Sequence, residues 1–129
     1  MSNNTDTKKI GDMGERKASK LLIEKGFEIV ERNYHSRYGE IDIIASNDKY
    51  IVFAEVKTRN ISSIARPCEW VDKKKQKKII TTALLYLQNN KTDLQPRFDI
   101  IEVEYDRITS VIVNIIHIEN AFDCGGYYS

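Results

Sequence analysis

The chain has 129 residues, of which 41% are hydrophobic and 30% charged, and its formal net charge at pH 7 is +1. This length suits one domain with one core, and the near-neutral charge gives no overall sign of a nucleic-acid or membrane-surface binder. No apolar stretch approaches the about 18 to 20 residues that cross a bilayer. The polar start, residues 1–9, lacks the apolar core of a signal peptide. We therefore expect a single cytoplasmic domain without a membrane segment and with flexible ends at 1–9 and 123–129.

Two cysteines, Cys68 and Cys124, stand apart in the sequence and form no cluster of metal ligands. A structural zinc site usually needs four ligands at short spacings, so this pattern argues against one. Without an export signal, we expect both side chains to be reduced thiols.

Hydrophobic periodicity in the first half predicts one helix followed by three strands. The helix spans Ile10–Lys25 and stops at Gly26, a typical C-terminal residue of helices. The three strands have the bounds Phe27–Asn33, Gly39–Ala45 and Tyr50–Arg59. A turn is predicted at Tyr34–Tyr38, and a hairpin turn at Ser46–Lys49.

The second half continues with a loop at Asn60–Cys68, a helix and two strands. Asp72 is the expected N-cap of the helix, which runs to about Gln88. The strands are Phe98–Tyr105 and Ser110–Ile118, and the many branched apolar residues of the second predict that it is strongly buried. Apolar residues on both faces of the central strands indicate helices on both sides. The fold class is α/β, with a mixed sheet flanked by helices.

Charged residues interrupt two of the apolar strands. Asp42 ends the run Gly39-Glu40-Ile41-Asp42, and Glu55-Val56-Lys57 lies in the next strand. Side chains two apart on a strand share a face, and a hairpin would bring Asp42 beside Glu55. A buried unpaired charge costs several kcal/mol, so such residues usually pair or hold a metal. An ion pair on a solvated strand face is the alternative, but Ile51 and Phe53 on the same face argue against it.

These residue types suit a magnesium site that hydrolyses phosphodiesters. Mg²⁺ prefers hard oxygen ligands and keeps several waters, so Asp42, Glu55 and the Val56 carbonyl are candidate ligands. Lys57 is the candidate to position or deprotonate the attacking water and to stabilise negative charge. Glu15 lies on the core-facing stripe of the first helix. A supporting role at the metal and a capping or boundary role near the helix start are equally good explanations.

A run of lysines at the start of the second helix is the strongest local charge feature. Its members are Lys73, Lys74, Lys75, Lys77 and Lys78. Such a run is usually a solvated helix face, but few acids interrupt this one, which favours phosphate binding. Arg59 shares the face of Lys57 and is a further phosphate candidate. Gln76 lies on the core stripe, where it either binds near the site or caps a strand end.

Several short motifs occur in order along the chain. They are Gly14-Glu15, Asn33, Gly39-Glu40-Ile41-Asp42, Phe53 through Lys57, Arg59, Lys75-Gln76, Arg97-Phe98-Asp99, His117-Ile118 and Asn120-Ala121-Phe122. Together they closely resemble the YraN-like family of uncharacterised bacterial proteins, which are described as candidate endonucleases. The resemblance covers the chain from about Gly11 to Phe122.

That family is similar to the PD-(D/E)xK nuclease superfamily, near the archaeal Holliday-junction resolvases. The resemblance implies a restriction-endonuclease-like core and assigns Asp42, Glu55 and Lys57 to catalytic positions, with Glu15 as the helix-borne acid. The chain departs from the superfamily pattern at Ile41, where a proline is often written. It also has Asp72-Lys73-Lys74 where the family often has a Thr-Pro helix start. Neither departure removes a catalytic position.

The first hypothesis is a Mg²⁺- or Mn²⁺-dependent endonuclease whose substrate is nucleic acid, with DNA favoured and branched DNA as one candidate form of it. A branched substrate would call for a two-fold homodimer, because two symmetric strands must be cut. The second hypothesis is a nucleic-acid-binding module with the same fold that does not cut. The third is a protein whose lysine run contacts an acidic protein partner.

Overall fold

A computed structural model describes residues 3–61 and 71–123, with side chains from Lys8 onward. It contains two helices and five strands. Their bounds in chain order are α1 Asn3–Glu24, β1 Glu28–Ser36, β2 Gly39–Ser46, β3 Tyr50–Asn60, α2 Lys73–Asn89, β4 Gln95–Asp106 and β5 Val111–Phe122. None of the helices described is long and apolar enough to cross a bilayer.

The five strands form one mixed sheet in the order β1-β2-β3-β4-β5. β1, β2 and β3 are joined by antiparallel hairpins, and β5 pairs antiparallel with β4. The central pair, β3 and β4, is parallel from Tyr50 opposite Gln95 to Asn60 opposite Tyr105. A parallel pair needs a long crossover, and α2 lies within it. The predicted α/β class and mixed sheet are confirmed, and the arrangement fits a restriction-endonuclease-like core.

One helix covers each face of the sheet. α1 packs Ala18 and Leu22 against the face that carries Ile43, Val52 and Ile101. α2 packs against the opposite face, where the fully buried residues include Ile44, Phe53 and Ile80. This double coverage explains why β2 and β3 are apolar on both faces. It also means that a charged side chain on either face of β3 lies under a helix.

Capping residues fix where the helices begin and end. Asp72 accepts a hydrogen bond from the Lys75 amide at 2.9 Å, so it is the N-cap of α2, as predicted. At the end of α1, Gly26 adopts a positive φ of 95° and Phe27 N donates to the Leu22 carbonyl at 2.9 Å. This is the left-handed termination that glycine favours.

Three sequence predictions differ from the structure. α1 begins at Asn3 and not at Ile10. The predicted turn at Tyr34–Tyr38 is wrong at its start, because β1 continues to Ser36 in register with β2. The predicted burial of the last strand is also wrong: Val111 is 53% exposed and Val113 is 52% exposed. β5 is an edge strand, next to β4 in the described sheet.

Some predictions fall on residues outside the described ranges. These are most of the loop at Asn60–Cys68, the cysteines Cys68 and Cys124, and nearly all of the flexible tail at 123–129.

Gly14 lies at a close approach between α1 and β3. A Cβ added there would overlap Cγ2 of Thr58 and lie 3.7 Å from Val103. Gly11, one turn earlier on the same helix, has open space around the corresponding position. The glycine at position 14 therefore sets how closely α1 lies on the sheet, which in turn sets how far Glu15 reaches.

We expect Gly14→Ala to destabilise the protein by about 1–2 kcal/mol, because overpacking outweighs the helix propensity of alanine. Gly11→Ala should have the opposite sign and stabilise it by up to about 1 kcal/mol. Urea denaturation followed by circular dichroism measures both. Adding Thr58→Ser to Gly14→Ala removes the overlapping methyl group and should recover the lost stability. Equal effects at the two glycines would contradict this account of the packing.

Candidate active site

The β2–β3 hairpin brings Asp42 next to Glu55. The antiparallel register pairs Ile43 with Ala54, so the next residues outward are Asp42 and Glu55. The Val56 amide donates a hydrogen bond to Asp42 Oδ2 at 2.8 Å. Asp42 is 8% exposed and Glu55 is 4% exposed, so both carboxyl groups are buried. The proximity predicted from the hairpin is confirmed, and a solvated strand face is excluded.

Two lysines converge on one oxygen of Glu55. Lys57 Nζ lies 3.2 Å from Glu55 Oε2, which confirms that these residues share a face. Lys75 Nζ, from the first turn of α2, lies 2.6 Å from the same oxygen. A free surface position for Lys75, which is the usual expectation for such a residue, is therefore wrong. The site is a buried carboxylate pair with two ammonium groups on one side.

The pKa values of Asp42, Lys57 and Lys75 shift in different directions. Burial, together with the charge of Glu55, raises the pKa of Asp42 to about 8. Burial and the neighbouring Lys75 lower the pKa of Lys57. Burial opposes the charged form of Lys75, but its contacts with Glu55 and Lys57 outweigh burial and raise its pKa. At neutral pH Asp42 therefore holds a proton, and of the two lysines Lys57 is the one that loses its proton more readily.

Glu15 approaches the same place from α1. It is half-buried, and burial raises the pKa of its carboxyl group while a hydrogen bond with the Asn33 side chain opposes the shift. Its charge also contributes to the raised pKa of Asp42. Asn33 adopts a positive φ of 54° within β1, a conformation that asparagine tolerates better than most residues. The helix-borne acid therefore lies within electrostatic reach of the carboxylate pair.

Arg59 is engaged by acids on β4. Its Nε lies 3.3 Å from Glu102 Oε1 and 3.2 Å from Glu104 Oε2. Glu102 pairs with Lys57 in the strand register and is fully buried. Neither of its oxygens has a hydrogen-bond partner among the residues that the structure describes. Burial and the neighbouring Glu104 raise the pKa of Glu102 to about 7. Arg59 is therefore held beside the site by two carboxyl groups.

Three lysines of the run line a cavity at the start of α2, together with two acids, Glu40 and Asp72. Lys74, Lys75 and Lys78 line this space of about 350 Å³ together with Gly39 and Glu40 of β2. Lys73, Lys74, Lys77 and Lys78 are exposed. Because the cavity contains Lys75, the lysine-rich surface is continuous with the carboxylate pair.

Gln76 has a local structural contact. Its Nε2 donates to the Val71 carbonyl at 3.0 Å, which fixes the chain where it enters α2. The predicted capping of a strand end is therefore wrong, because the carbonyl that Gln76 contacts precedes α2 and belongs to no strand.

A second polar cluster lies on the other face of the sheet. Asp99 is fully buried and accepts from Arg97 at 2.9 and 3.0 Å, from the Asn120 amide at 2.9 Å, and bonds His117 Nε2 at 2.7 Å. These bonds lower the pKa of Asp99 although its burial opposes the shift. Every partner belongs to β4 or β5. The cluster therefore joins these strands and lies apart from the carboxylate pair.

The donor set fits a hard divalent cation with few protein ligands. Among residues 3–61 and 71–123, no group of three His, Cys, Asp or Glu side chains is placed to hold a metal. Asp42 and Glu55 nevertheless offer two buried carboxylates at one position, and two like charges there need a cation or a proton. Mg²⁺ commonly binds through one or two carboxylates and completes its octahedron with water. A thiolate- or imidazole-preferring metal finds no such donors at this position.

Sequence reasoning missed Glu102 and the contact of Lys75 with Glu55. Glu102 sits in the run Asp99-Ile100-Ile101-Glu102-Val103, which has the same signal as Glu55: a charge inside a buried strand. The Lys75 contact depends on how α2 is rotated over the sheet, and the lysine run alone does not single out one member.

The chain is similar to proteins of the uncharacterised family UPF0102, which matches residues 14–103. A UPF0102 protein of Caldanaerobacter subterraneus subsp. tengcongensis is 43% identical over 116 residues, covering 89% of this chain and 95% of the relative. One from Clostridioides difficile is 44% identical over 118 residues, covering 91% and 99%. One from Persephonella marina is 44% identical over 113 residues, covering 88% and 92%. These matches confirm the resemblance to the YraN-like family.

Glu102→Gln should change the pH dependence of stability. The folded protein keeps the Glu102 proton up to about pH 7, whereas the unfolded chain loses it near the ordinary pKa of 4.5. Between these values the free energy of unfolding of the wild type falls as pH rises. The variant lacks this loss, so its stability relative to wild type should rise by about 1–3 kcal/mol from pH 4 to pH 8.

Urea denaturation at each pH measures this difference. Glu24→Gln, at an exposed position of α1, is the matched control and should keep the pH slope of the wild type. A wild-type slope in Glu102→Gln would mean that Glu102 is not the group that titrates.

Proposed function

The chain belongs to the uncharacterised protein family UPF0102, and on that premise we propose that it is a Mg²⁺-dependent endonuclease that hydrolyses phosphodiester bonds, with DNA as its substrate. One observation carries the proposal. Asp42 and Glu55 share a buried position with Lys57 and Lys75 beside them, and the lysine-rich surface of α2 leads into it. Buried like charges destabilise a fold, so their presence is better explained by chemistry than by packing.

Asp42, Glu55 and the Val56 carbonyl are the groups that would hold the cation, with Glu15 supporting it through water. When bound, Mg²⁺ would acidify a water molecule and neutralise negative charge on the phosphate. The Val56 amide keeps the Asp42 carboxyl group oriented through its 2.8 Å hydrogen bond. Asp42 must give up its proton to act as a ligand, because its pKa is about 8.

Lys57 is the proposed base. Its lowered pKa makes the neutral amine more accessible, and the neutral amine accepts a proton from water. The water oxygen forms a bond to phosphorus as the bond to one ester oxygen breaks. The products are a phosphomonoester and a free hydroxyl group, which takes up a proton. Lys75 stays charged and offsets the negative charge that builds on the phosphate.

The surface around the site suits a nucleic-acid backbone. Four exposed lysines, Lys73, Lys74, Lys77 and Lys78, carry positive charge on α2. Contacts of this kind bind phosphates without reading sequence and weaken as salt rises. Arg59 lies on the same face, where its guanidinium group is engaged by Glu102 and Glu104. If the substrate is branched DNA, the protein would act as a homodimer that cuts two strands symmetrically.

One observation favours a second candidate, a nucleic-acid-binding module that does not cut. Glu55 already has two ammonium partners, and a proton on Asp42 removes the remaining like-charge repulsion. The site is therefore electrically satisfied without a cation. Binding that depends on the lysine-rich surface but not on a divalent cation would support this alternative.

Purified protein should cut at least one member of a labelled panel of single strands, duplexes, flaps and four-way junctions in Mg²⁺ or Mn²⁺. Asp42→Asn, Glu55→Gln and Lys57→Met should each lower the rate by about a hundredfold or more, because each removes a group that acts in the transition state. EDTA should abolish cutting. Asp48→Asn, an exposed acid in the same hairpin, should cut as the wild type does. Binding without cutting on every substrate would favour the second candidate.

Mg²⁺ should stabilise the fold more at high pH than at low pH. The cation competes with the proton on Asp42, whose pKa is about 8, so its affinity rises as pH rises towards that value. Thermal unfolding with and without Mg²⁺ at several pH values measures the effect, since a ligand of the folded state raises Tm. Asp42→Asn removes both the ligand and the proton and should lose the Mg²⁺ response. The same response in the variant would place the cation elsewhere.

A further inference from the structure

Lys75 occupies a place where a cation would otherwise be expected. Its Nζ lies 2.6 Å from Glu55 Oε2, and Lys57 Nζ lies 3.2 Å from that same oxygen. A single carboxylate oxygen therefore has two ammonium partners. The Lys57 contact alone would satisfy an ordinary ion pair, so the shorter Lys75 contact adds a second positive charge at the carboxylate pair.

We propose that Lys75 takes the place of the divalent cation on Glu55 in the cation-free protein and moves to a phosphate of the nucleic acid when the cation binds. This inference rests on the proposed function and deepens it. It makes Lys75 a positioning residue that links cation binding to substrate binding. The lysine keeps the buried Glu55 neutralised until the cation arrives, and then carries its charge to the substrate.

The two lysines differ in how easily they can leave Glu55. Lys57 is two residues from Glu55 on β3, so the strand fixes its starting point beside the carboxylate. Lys75 belongs to a different element, and its side chain is 42% exposed, against 25% for Lys57. Its backbone is fixed by the bond from its amide to Asp72, so only the flexible four-carbon side chain has to move.

The cavity at the start of α2 offers a second position for the ammonium group of Lys75. The side chain already lines this space of about 350 Å³, which also has Lys74 and Lys78 on its wall. The same wall carries two acids, Glu40 and Asp72, which balance Lys74 and Lys78, so without a ligand a third ammonium group there would meet no unbalanced negative charge. With a phosphate in the cavity, the three lysines would share one anion. A position on Glu55 is therefore favoured before substrate binds, and a position in the cavity afterwards.

A competition of this kind has a thermodynamic consequence. Releasing Lys75 from Glu55 lowers the apparent affinity for the cation, so removing the lysine should raise it. Conversely, a bound cation frees Lys75 for phosphate, so cation and nucleic acid should each strengthen binding of the other. This coupling must be equal in both directions.

Isothermal titration with Mg²⁺ and with Mn²⁺ tests the competition in the absence of nucleic acid, at one pH for all variants. Lys75→Met should bind the cation about three to thirty times more tightly than wild type, the range expected for losing a partly buried ion pair. Lys20→Met, at an exposed position of α1 away from the lysine run, is the control and should bind as wild type does. Glu55→Gln should bind more weakly.

Unchanged or weaker cation binding in Lys75→Met, with Glu55→Gln still weaker than wild type, would overturn the competition while leaving the proposed site intact. Equal binding by Glu55→Gln and wild type would overturn the proposed metal site, and the competition with it. The two failures are therefore distinguishable.

The release to phosphate is tested by the affinity for a labelled DNA duplex in EDTA and in Ca²⁺, measured by fluorescence anisotropy. Ca²⁺ should raise the affinity of wild type and of Lys20→Met several-fold, and should raise that of Lys75→Met much less. An equal gain in Lys75→Met, or no gain in the wild type, would overturn the release step.

Discussion

Two carboxylates in one buried place constrain the rest of this protein. Asp42 and Glu55 repel each other when both are ionised, and burial strengthens that repulsion. A proton on Asp42 and ammonium groups from β3 and α2 relieve this repulsion. Both the proton and the ammonium groups are displaceable, since protons exchange and long lysine side chains move. Such a displaceable charge balance is what the cation-dependent enzyme proposed above would need before its cation binds.

The scaffold separates rigid positions from movable ones. The β2–β3 hairpin fixes the backbones of both acids, and a bond from the Val56 amide fixes the Asp42 carboxyl group. Away from the site, Asp99 has four hydrogen-bonded contacts and joins β4 to β5. Glu102 lies between these extremes, buried beside Arg59 without a hydrogen bond in the described part of the chain. The cluster around Asp99 thus stabilises the fold, whereas the polar groups around the carboxylate pair cost it stability, as functional sites commonly do.

The sequence predicted the fold class and the carboxylate pair because both follow from local patterns. Alternating strands, a hairpin turn and a strong N-cap at Asp72 need no knowledge of tertiary packing. The position of a strand at the sheet edge and the rotation of a helix over the sheet do depend on tertiary packing. Val111 looks buried by composition but is exposed, and only the tertiary structure shows that β5 is an edge strand. In the same way, the lysine run marks α2 as basic, but the turn of the helix over the sheet decides that Lys75 meets Glu55.

The parallel pairing of β3 with β4 has a consequence for the order in which the protein assembles. The two acids lie on a local hairpin, whose short loop closes quickly. The β3–β4 ladder can form only after the whole crossover has been made, and such distant pairings form slowly. During synthesis we therefore expect the acidic half of the site to exist first, without the lysine of α2 or the acids of β4. Under the function proposed above, a growing chain would not cut nearby nucleic acid until the β3–β4 ladder has formed.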